Sequence, residues 1–370
     1  MAKTVLVTGA LGYVGSRLTQ DLRAHGIQCA GYDTGFYRDC TLIPPQDPRM
    51  VLRDMRAFRD HDLDGVEAVV HLAGMSNDPV GDMPPAQMYD PTRAYSRRIA
   101  EVCRARGVRF IFASSCSVYG VAGEGLVTEA SATNPQTPYS LNKLQIEQDL
   151  EALRDETFHP VILRFATAFG VSPRMRFDIV VNMFVGMALT TRKIILNSDG
   201  LAWRPHIAVA DMCKAIRWCL ERLLQAEGPI IMNVGDTTQN FRILDVARMV
   251  QAQVPGCDVA FLDREAADSA ELIRDAKIRD RADTRTYRVA FERVRHVLDG
   301  FRCDWTLERG IAAMVQELRS LGLSEAQFRN PQFYRLQTLA ALIRDGRLTE
   351  DFVWTSSRQP AMAAHEATGS

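Results

Sequence analysis

The chain has 370 residues, 44 basic against 45 acidic, for a formal net charge of −1. Such a balance argues against a nucleic-acid partner and against a long charged tail. No stretch approaches the roughly twenty apolar residues of a membrane span, and Met1 leads almost at once into a strand-like VLVTG without signal-peptide design, so the cytoplasm is the expected compartment.

Thr4 to Thr8 is a short apolar run suited to a strand buried on both faces. A glycine turn follows, then a helical stretch from Tyr13 to His25 with apolar Val14, Leu18 and Leu22. Ile27 to Tyr32 reads as a second strand. Ala68 to Leu72 and Phe110 to Ala113 are further strands, with a helix from Arg93 to Arg106 between them. This alternation predicts an α/β protein with a Rossmann-type doubly wound parallel sheet.

Periodicity weakens after Gly170. A Ser172-Pro173 turn, a helix over Phe177 to Leu189 and the strand-like KIIL at Lys193 to Leu196 open a substrate-binding region. His206 to Val209 and Ile230 to Val234 read as strands returning to the main sheet. Asp245 to Gln253, Val259 to Leu262 and Leu307 to Ser320 are assigned to a smaller second lobe. The expected division is therefore residues 1–172 with returning segments about 205–238, a substrate lobe at 173–204 and 239–320, an appended helical segment at 321–355, and a disordered tail at 356–370. In the appended segment Phe333, Leu336, Leu339 and Leu342 fall at helical spacing, which suits packing on the body or a subunit contact. Eight cysteines without a CxxC pair suggest neither a disulfide framework nor a metal.

The turn Thr8-Gly9-Ala10-Leu11-Gly12-Tyr13-Val14-Gly15 sets three glycines between strand and helix. Gly9 can take a backbone conformation closed to other residues. Gly12 admits a pyrophosphate to the helix N-terminus, and Gly15 permits close helix–strand packing. Asp33 ends the second strand. A carboxylate there accepts ribose hydroxyls and repels a 2′-phosphate, which favours NAD over NADP.

Six motifs in order now give the chain a family resemblance: TGALGYVG (Thr8 to Gly15), HLAG (His71 to Gly74), SSCSVYG (Ser114 to Gly120), YSLNK (Tyr139 to Lys143), RFATAFG (Arg164 to Gly170) and WRPHIAVAD (Trp203 to Asp211). Over residues 4 to 310 it resembles the extended short-chain dehydrogenase/reductases, specifically the nucleotide-sugar epimerases and dehydratases. The resemblance implies NAD held along Gly9, Gly12, Tyr13, Val14, Gly15 and Asp33. Asp54 and Met55 would lie at the adenine, and Leu72, Ala73 and Gly74 would line the cofactor beside His71. It also implies a homodimer, formed through helices that include the one bearing Tyr139.

Tyr139 and Lys143 are four apart and share one helix face. Oxidising a sugar hydroxyl needs a base, and a nearby ammonium favours the phenolate. By resemblance Tyr139 is the acid/base, Lys143 its activator and a cofactor contact, and Ser115 the hydroxyl oriented on the substrate. Ser114 is the rival to Ser115. In 4,6-dehydratases the two positions before Val118 resemble Asp-Glu; here they are Cys116 and Ser117. Neither is a carboxylic acid, so C4 epimerisation is favoured, with dehydration or 4-ketoreduction as alternatives and a non-catalytic NAD-binding protein as a different class. A Cys116 thiolate acting at C3 or C5 is a further hypothesis, set against burial as a small apolar residue.

A nucleotide-sugar substrate carries a diphosphate, which planar arginine forks suit best. Arg204 resembles the family's diphosphate-binding arginine. Arg174, Arg176, Arg285 and Arg288 are further candidates, and Asn182 or Asp178 could meet sugar or phosphate oxygens. Two departures stand out. Thr92 and Tyr95 occupy places where the family usually has Asn and Gly. The base and the sugar stay open.

Overall fold

The computed structural model describes residues 4–76, 85–222, 230–262 and 285–355. In chain order the first strands are β1 (Thr4–Thr8), β2 (Cys29–Asp33), β3 (Arg49–Leu52), β4 (Val66–His71), β5 (Arg109–Ser115), β6 (Val121–Val127) and β7 (Val161–Phe165). They are followed by β8 (Thr167–Phe169), β9 (Lys193–Leu196), β10 (Trp203–Ala208) and β11 (Ile230–Val234). Seven of these form one sheet in the order β11-β7-β5-β4-β1-β2-β3, with every neighbouring pair parallel. This is the doubly wound architecture expected from the strand–helix alternation.

The two-residue period of a strand sends successive side chains to opposite faces. Val5 and Val7 enter one core with Leu18 and Leu22 of α1 (Tyr13–Ala24), whereas Leu6 enters the other. Ala68 and Val70 of β4 likewise face away from Val69. The first core is closed by Ile216 and Cys219, from the helix Val209–Arg222. The second is closed by Ile99 and Cys103 of α2 (Pro85–Arg106) and by Ile146 and Leu150 of α3 (Pro138–Leu153). Helix α2 starts well before the expected Arg93 because it continues through Pro91. The strand order reverses between β1 and β4, and α1 starts at the C-terminal end of β1, beside that crevice.

One returning strand does not return. Ile230–Val234 joins the large sheet beside β7, but β10 does not. It pairs parallel with β8 and antiparallel with Asn240–Arg242 in a separate three-stranded sheet. The chain leaves the main sheet after Phe165, where Ala166 donates its N–H to Val234 O (3.1 Å), and β10 follows the diverging β8. The small lobe gathers around Phe177, Val181, Val185 and Ile194, with β9 paired to Asp258–Phe261. Its helix starts at Val180, three residues after the expected Phe177.

The appended segment packs on the body. Phe328 stands 5.1 Å from the Phe177 ring, and a Cβ built on Gly186 would fall 2.2 Å from Phe328 Cε2, so the glycine makes room for that ring. Arg335–Arg344 is helical. Its Leu339 and Leu342, with Leu348 and Phe352, pack on Met88 and Tyr89 of α2. The expected tail at 356–370 lies outside the described residues.

Candidate active site

The glycine turn is built by backbone crowding. Gly9 sits at φ +74°, and a Cβ there would lie 2.7 Å from Ala73 N. A Cβ on Gly15 would lie 2.2 Å from Gly9 O, which fixes how closely α1 meets the turn. Gly12 is the N-cap of α1 and supplies no capping side chain, so the helix N-terminus keeps donors for an anion. Asp33 is buried and accepts from Leu11 N (2.9 Å) and Gly35 N (2.7 Å). Burial pushes its carboxyl above the usual range, against those two hydrogen bonds. An uncapped helix, a turn that admits no Cβ and a carboxylate after β2 fit a dinucleotide.

The other cofactor candidates surround this crevice. Tyr13 is buried and donates to Gly170 O (2.6 Å), while half-buried Val14 packs on both neighbouring cores. Leu72 N donates to Thr8 O (3.1 Å), Ala73 is buried, and a Cβ on Gly74 would touch Thr92 Cγ2 at 3.4 Å. Asp54 caps a short turn through Arg56 N (2.8 Å) and pairs with the Arg56 guanidinium. Asp54 and buried Met55 line a cavity with Thr34, Met75, Thr92, Tyr95, Asp351 and Phe352. Tyr95 donates to Thr92 Oγ1 (3.3 Å), so the two departures from the family pattern meet each other. His71 is fully buried between Thr8 Oγ1 (2.7 Å) and Ser96 Oγ (2.9 Å). Burial lowers its pKa to about 3, so it is a neutral structural link.

Helix α3 presents the catalytic candidates. Thr137 and Ser140 cap it reciprocally, with Pro138 in its first turn. Tyr139 follows at half-burial in that turn. One turn on, Lys143 is buried, with Nζ 2.7 Å from Ala113 O, 4.6 Å from the Phe112 ring centroid and 5.8 Å from that of Tyr139. Desolvation lowers the Lys143 pKa to about 8, opposed by the charge of Glu147. Ser115 ends β5, and its Oγ accepts from Ser117 N (3.1 Å), leaving the hydroxyl proton to donate.

The neighbouring positions are spent elsewhere. Ser114 donates to Glu147, which pairs with Arg164 (2.7 Å) in a buried network reaching Tyr119 and Asn233. Cys116 is 1% exposed, its thiol donating to Arg164 O at 3.2 Å. Burial pushes that thiol well above its ordinary range. Its side chain thus belongs to the core and is not brought alongside Ser115 and Tyr139.

The arginine candidates separate into two groups. Arg204 is buried, donates to Arg285 O and Trp203 O, and stacks 5.2 Å from the Tyr287 ring. Arg288 stands 5.3 Å from the Trp203 ring, so Arg204, Arg285 and Arg288 are brought together. Arg174 and Arg176 lie elsewhere. Arg174 pairs with both Asp47 oxygens (2.7 and 2.9 Å), and Arg176 binds Asp178 (2.8 Å) and Ser76 Oγ (3.0 Å). Asn182 is fully buried and braces Gly170 N, Arg176 O and Tyr13 OH at 3.0, 2.9 and 3.3 Å. Sequence reasoning missed Arg335, Arg56 and Trp354 at this end of the molecule. No local spacing signals them, since Trp354 binds Thr34 O across 320 positions.

Sheet order and crevice together define a Rossmann-type dinucleotide-dependent protein. Its family follows from comparison: the chain belongs to the NAD dependent epimerase/dehydratase family, whose model matches residues 5–235, and its cofactor is NAD. It is 28% identical to a UDP-glucose 4-epimerase of Azospirillum brasilense over 299 residues, 74% of this chain and 84% of that one. Among solved structures it is similar to MoeE5 in complex with UDP-glucose and NAD, with TM-score 0.69 and 25% identity over 86% of this chain and 99% of that one. It also shares its fold with TunA, an NAD-dependent NDP-hexosamine 5,6-dehydratase, at TM-score 0.73 and 24% identity over 86% of this chain and 98% of that one. No helix among the described residues is long and apolar enough to cross a membrane.

Proposed function

We propose that this enzyme epimerises a nucleotide sugar at C4 through a transient keto sugar. The observation that carries the reading is the pair after Ser115. Cys116 and Ser117 are both buried and neither is a carboxylic acid, so dehydration lacks the acid and base it needs there. The relatives named UDP-glucose 4-epimerase support the same direction.

NAD, held along the glycine turn and Asp33, would supply the reversible hydride acceptor that oxidation and re-reduction at C4 need. The chain's own residues handle the proton. Tyr139 removes it from the C4 hydroxyl while Ser115 donates a hydrogen bond to the same oxygen. Lys143, charged below about pH 8, favours the Tyr139 phenolate. Gly9, Gly12, Tyr13, Val14, Gly15 and Asp33 hold the cofactor, together with Asp54, Met55, Leu72, Ala73 and Gly74. Arg204, Arg285 and Arg288 meet the substrate diphosphate. Burial of the Cys116 thiol favours inversion by hydride return alone over inversion at C3 or C5. A homodimer formed through helices including α3, working in the cytoplasm, belongs to the same proposal.

The test is mass spectrometry of a nucleotide-sugar panel after incubation in deuterated water. A new isomer without carbon-bound deuterium is expected. Carbon-bound deuterium would point to enolisation at C3 or C5, and loss of water would replace the epimerase by a dehydratase.

A further inference from the structure

Arg335 opens the last helix of the appended segment and is 2% exposed. Its Nη2 donates to Arg174 O (3.2 Å), and its guanidinium carbon lies 4.4 Å from the Tyr37 ring centroid. Its Nη1 is buried without a hydrogen-bond partner. Among the described residues no ion pair includes Arg335. The nearby carboxylates are engaged: Asp47 by Arg174, Asp178 Oδ1 by Arg176, and Asp178 Oδ2 by the backbone N–H of Arg335 itself (3.0 Å). Three buried or nearly buried guanidinium groups therefore lie among three carboxylates: Asp47 and Asp178 are paired with Arg174 and Arg176, and Asp33 is committed to two backbone N–H groups, so none closes an ion pair with Arg335. An arginine does not escape burial by losing its proton, so such a cluster is suited to an anion.

The neighbours locate that anion. The charges of Arg174 and Arg335 act on Asp33, which is held against the glycine turn by Leu11 N. Arg176 acts on Tyr13 and Tyr37 and is itself acted on by Tyr139. The cluster thus lies among the glycine turn, the end of β2 and the head of α3. The same segment then reaches the adenosine end of the crevice. Trp354 Nε1 donates to Thr34 O (2.7 Å), and Arg56 donates to Asp351 O and Phe352 O (both 3.1 Å). Asp351 and Phe352 line the same cavity as Asp54 and Met55.

We propose that the segment Arg335–Trp354 is part of the ligand site, with Arg335 binding a diphosphate. This rests on the placement of NAD proposed above. The diphosphate is that of NAD, or else that of the nucleotide sugar, which would then be held here instead of by Arg204, Arg285 and Arg288.

The test is calorimetry on the full chain carrying Arg335→Met, with adenosine, ADP, NAD and UDP as separate probes. Binding of diphosphates should weaken at least tenfold while adenosine stays within twofold of wild type. Loss confined to ADP and NAD assigns the contact to the cofactor, and loss confined to UDP assigns it to the substrate. Unchanged diphosphate binding overturns the proposal, and so does a parallel loss of adenosine, which would mean a packing role. Because methionine leaves Arg174 O without its donor, Arg335→Gln is the second variant, with the same expected pattern. These affinities are read without turnover, so their outcome stands apart from whether the enzyme epimerises.

Discussion

Glu147 and Arg164 form the buried ion pair on which the catalytic geometry leans. They are 2% and 5% exposed, and Ser114 donates to the same carboxylate. That network ties the end of β5, which carries Ser115, to α3, which carries Lys143 one turn before Glu147. Glu147→Gln keeps the side-chain size but leaves the Arg164 guanidinium charged and buried without its counter-charge. Removing one partner of a buried pair costs about 3–5 kcal/mol. Glutamine still accepts one hydrogen bond, so a loss of about 3 kcal/mol is expected, read in urea as a midpoint lower by about 1 M. The double variant Glu147→Leu with Arg164→Met should recover most of it, because a well-packed apolar pair often replaces a buried ion pair without loss.

The same substitution has a second readout. Lys143 carries its charge below about pH 8 and loses it above, and the Glu147 carboxylate holds that value up against desolvation. In wild type kcat/KM should therefore fall through about pH 8, and in Glu147→Gln the fall should begin at lower pH. Folding stability should rise from about pH 8 toward 10.5, because the unfolded chain binds the lysine proton more tightly in that window. A cost under about 1 kcal/mol, set against the expected buried-pair penalty, would refute the reasoning. So would a high-pH limb that does not move.

Other outcomes follow from the site. Ser115→Ala should lower kcat by about 10²–10³-fold with little change in KM, as expected for a donor used mainly in the transition state. Steady-state kinetics on the substrate found by the deuterium experiment checks it, and a kcat within threefold of wild type would contradict that role. Cys116→Ala should keep full turnover and lose on the order of 1 kcal/mol of stability to a small cavity. Kinetics and urea unfolding of that variant decide between a core thiol and a reactive one.

The amino-acid sequence by itself determined the parallel sheet, the glycine turn and the spacing of Tyr139 and Lys143. Each is a local property: apolar runs of strand length, a backbone conformation that glycine adopts freely, and a separation of one helical turn. Side-chain direction at a strand end is not local in that way. Ser114 and Ser115 are adjacent in sequence, yet one joins the Glu147 network and the other keeps a proton to donate. Cys116 next to them turns into the core and bonds to Arg164 O. The tertiary structure also moved β10 out of the main sheet, because β8 had already diverged from it. Of five arginine candidates the resemblance singled out Arg204 alone, and packing joined Arg285 and Arg288 to it while setting Arg174 and Arg176 apart. Arg335 and Trp354 were invisible as site residues, since the contacts that place them, to Tyr37 and Thr34, join chain positions about 300 apart. Local pattern set the framework, and long-range packing and charge pairing decided which side chains face the crevice.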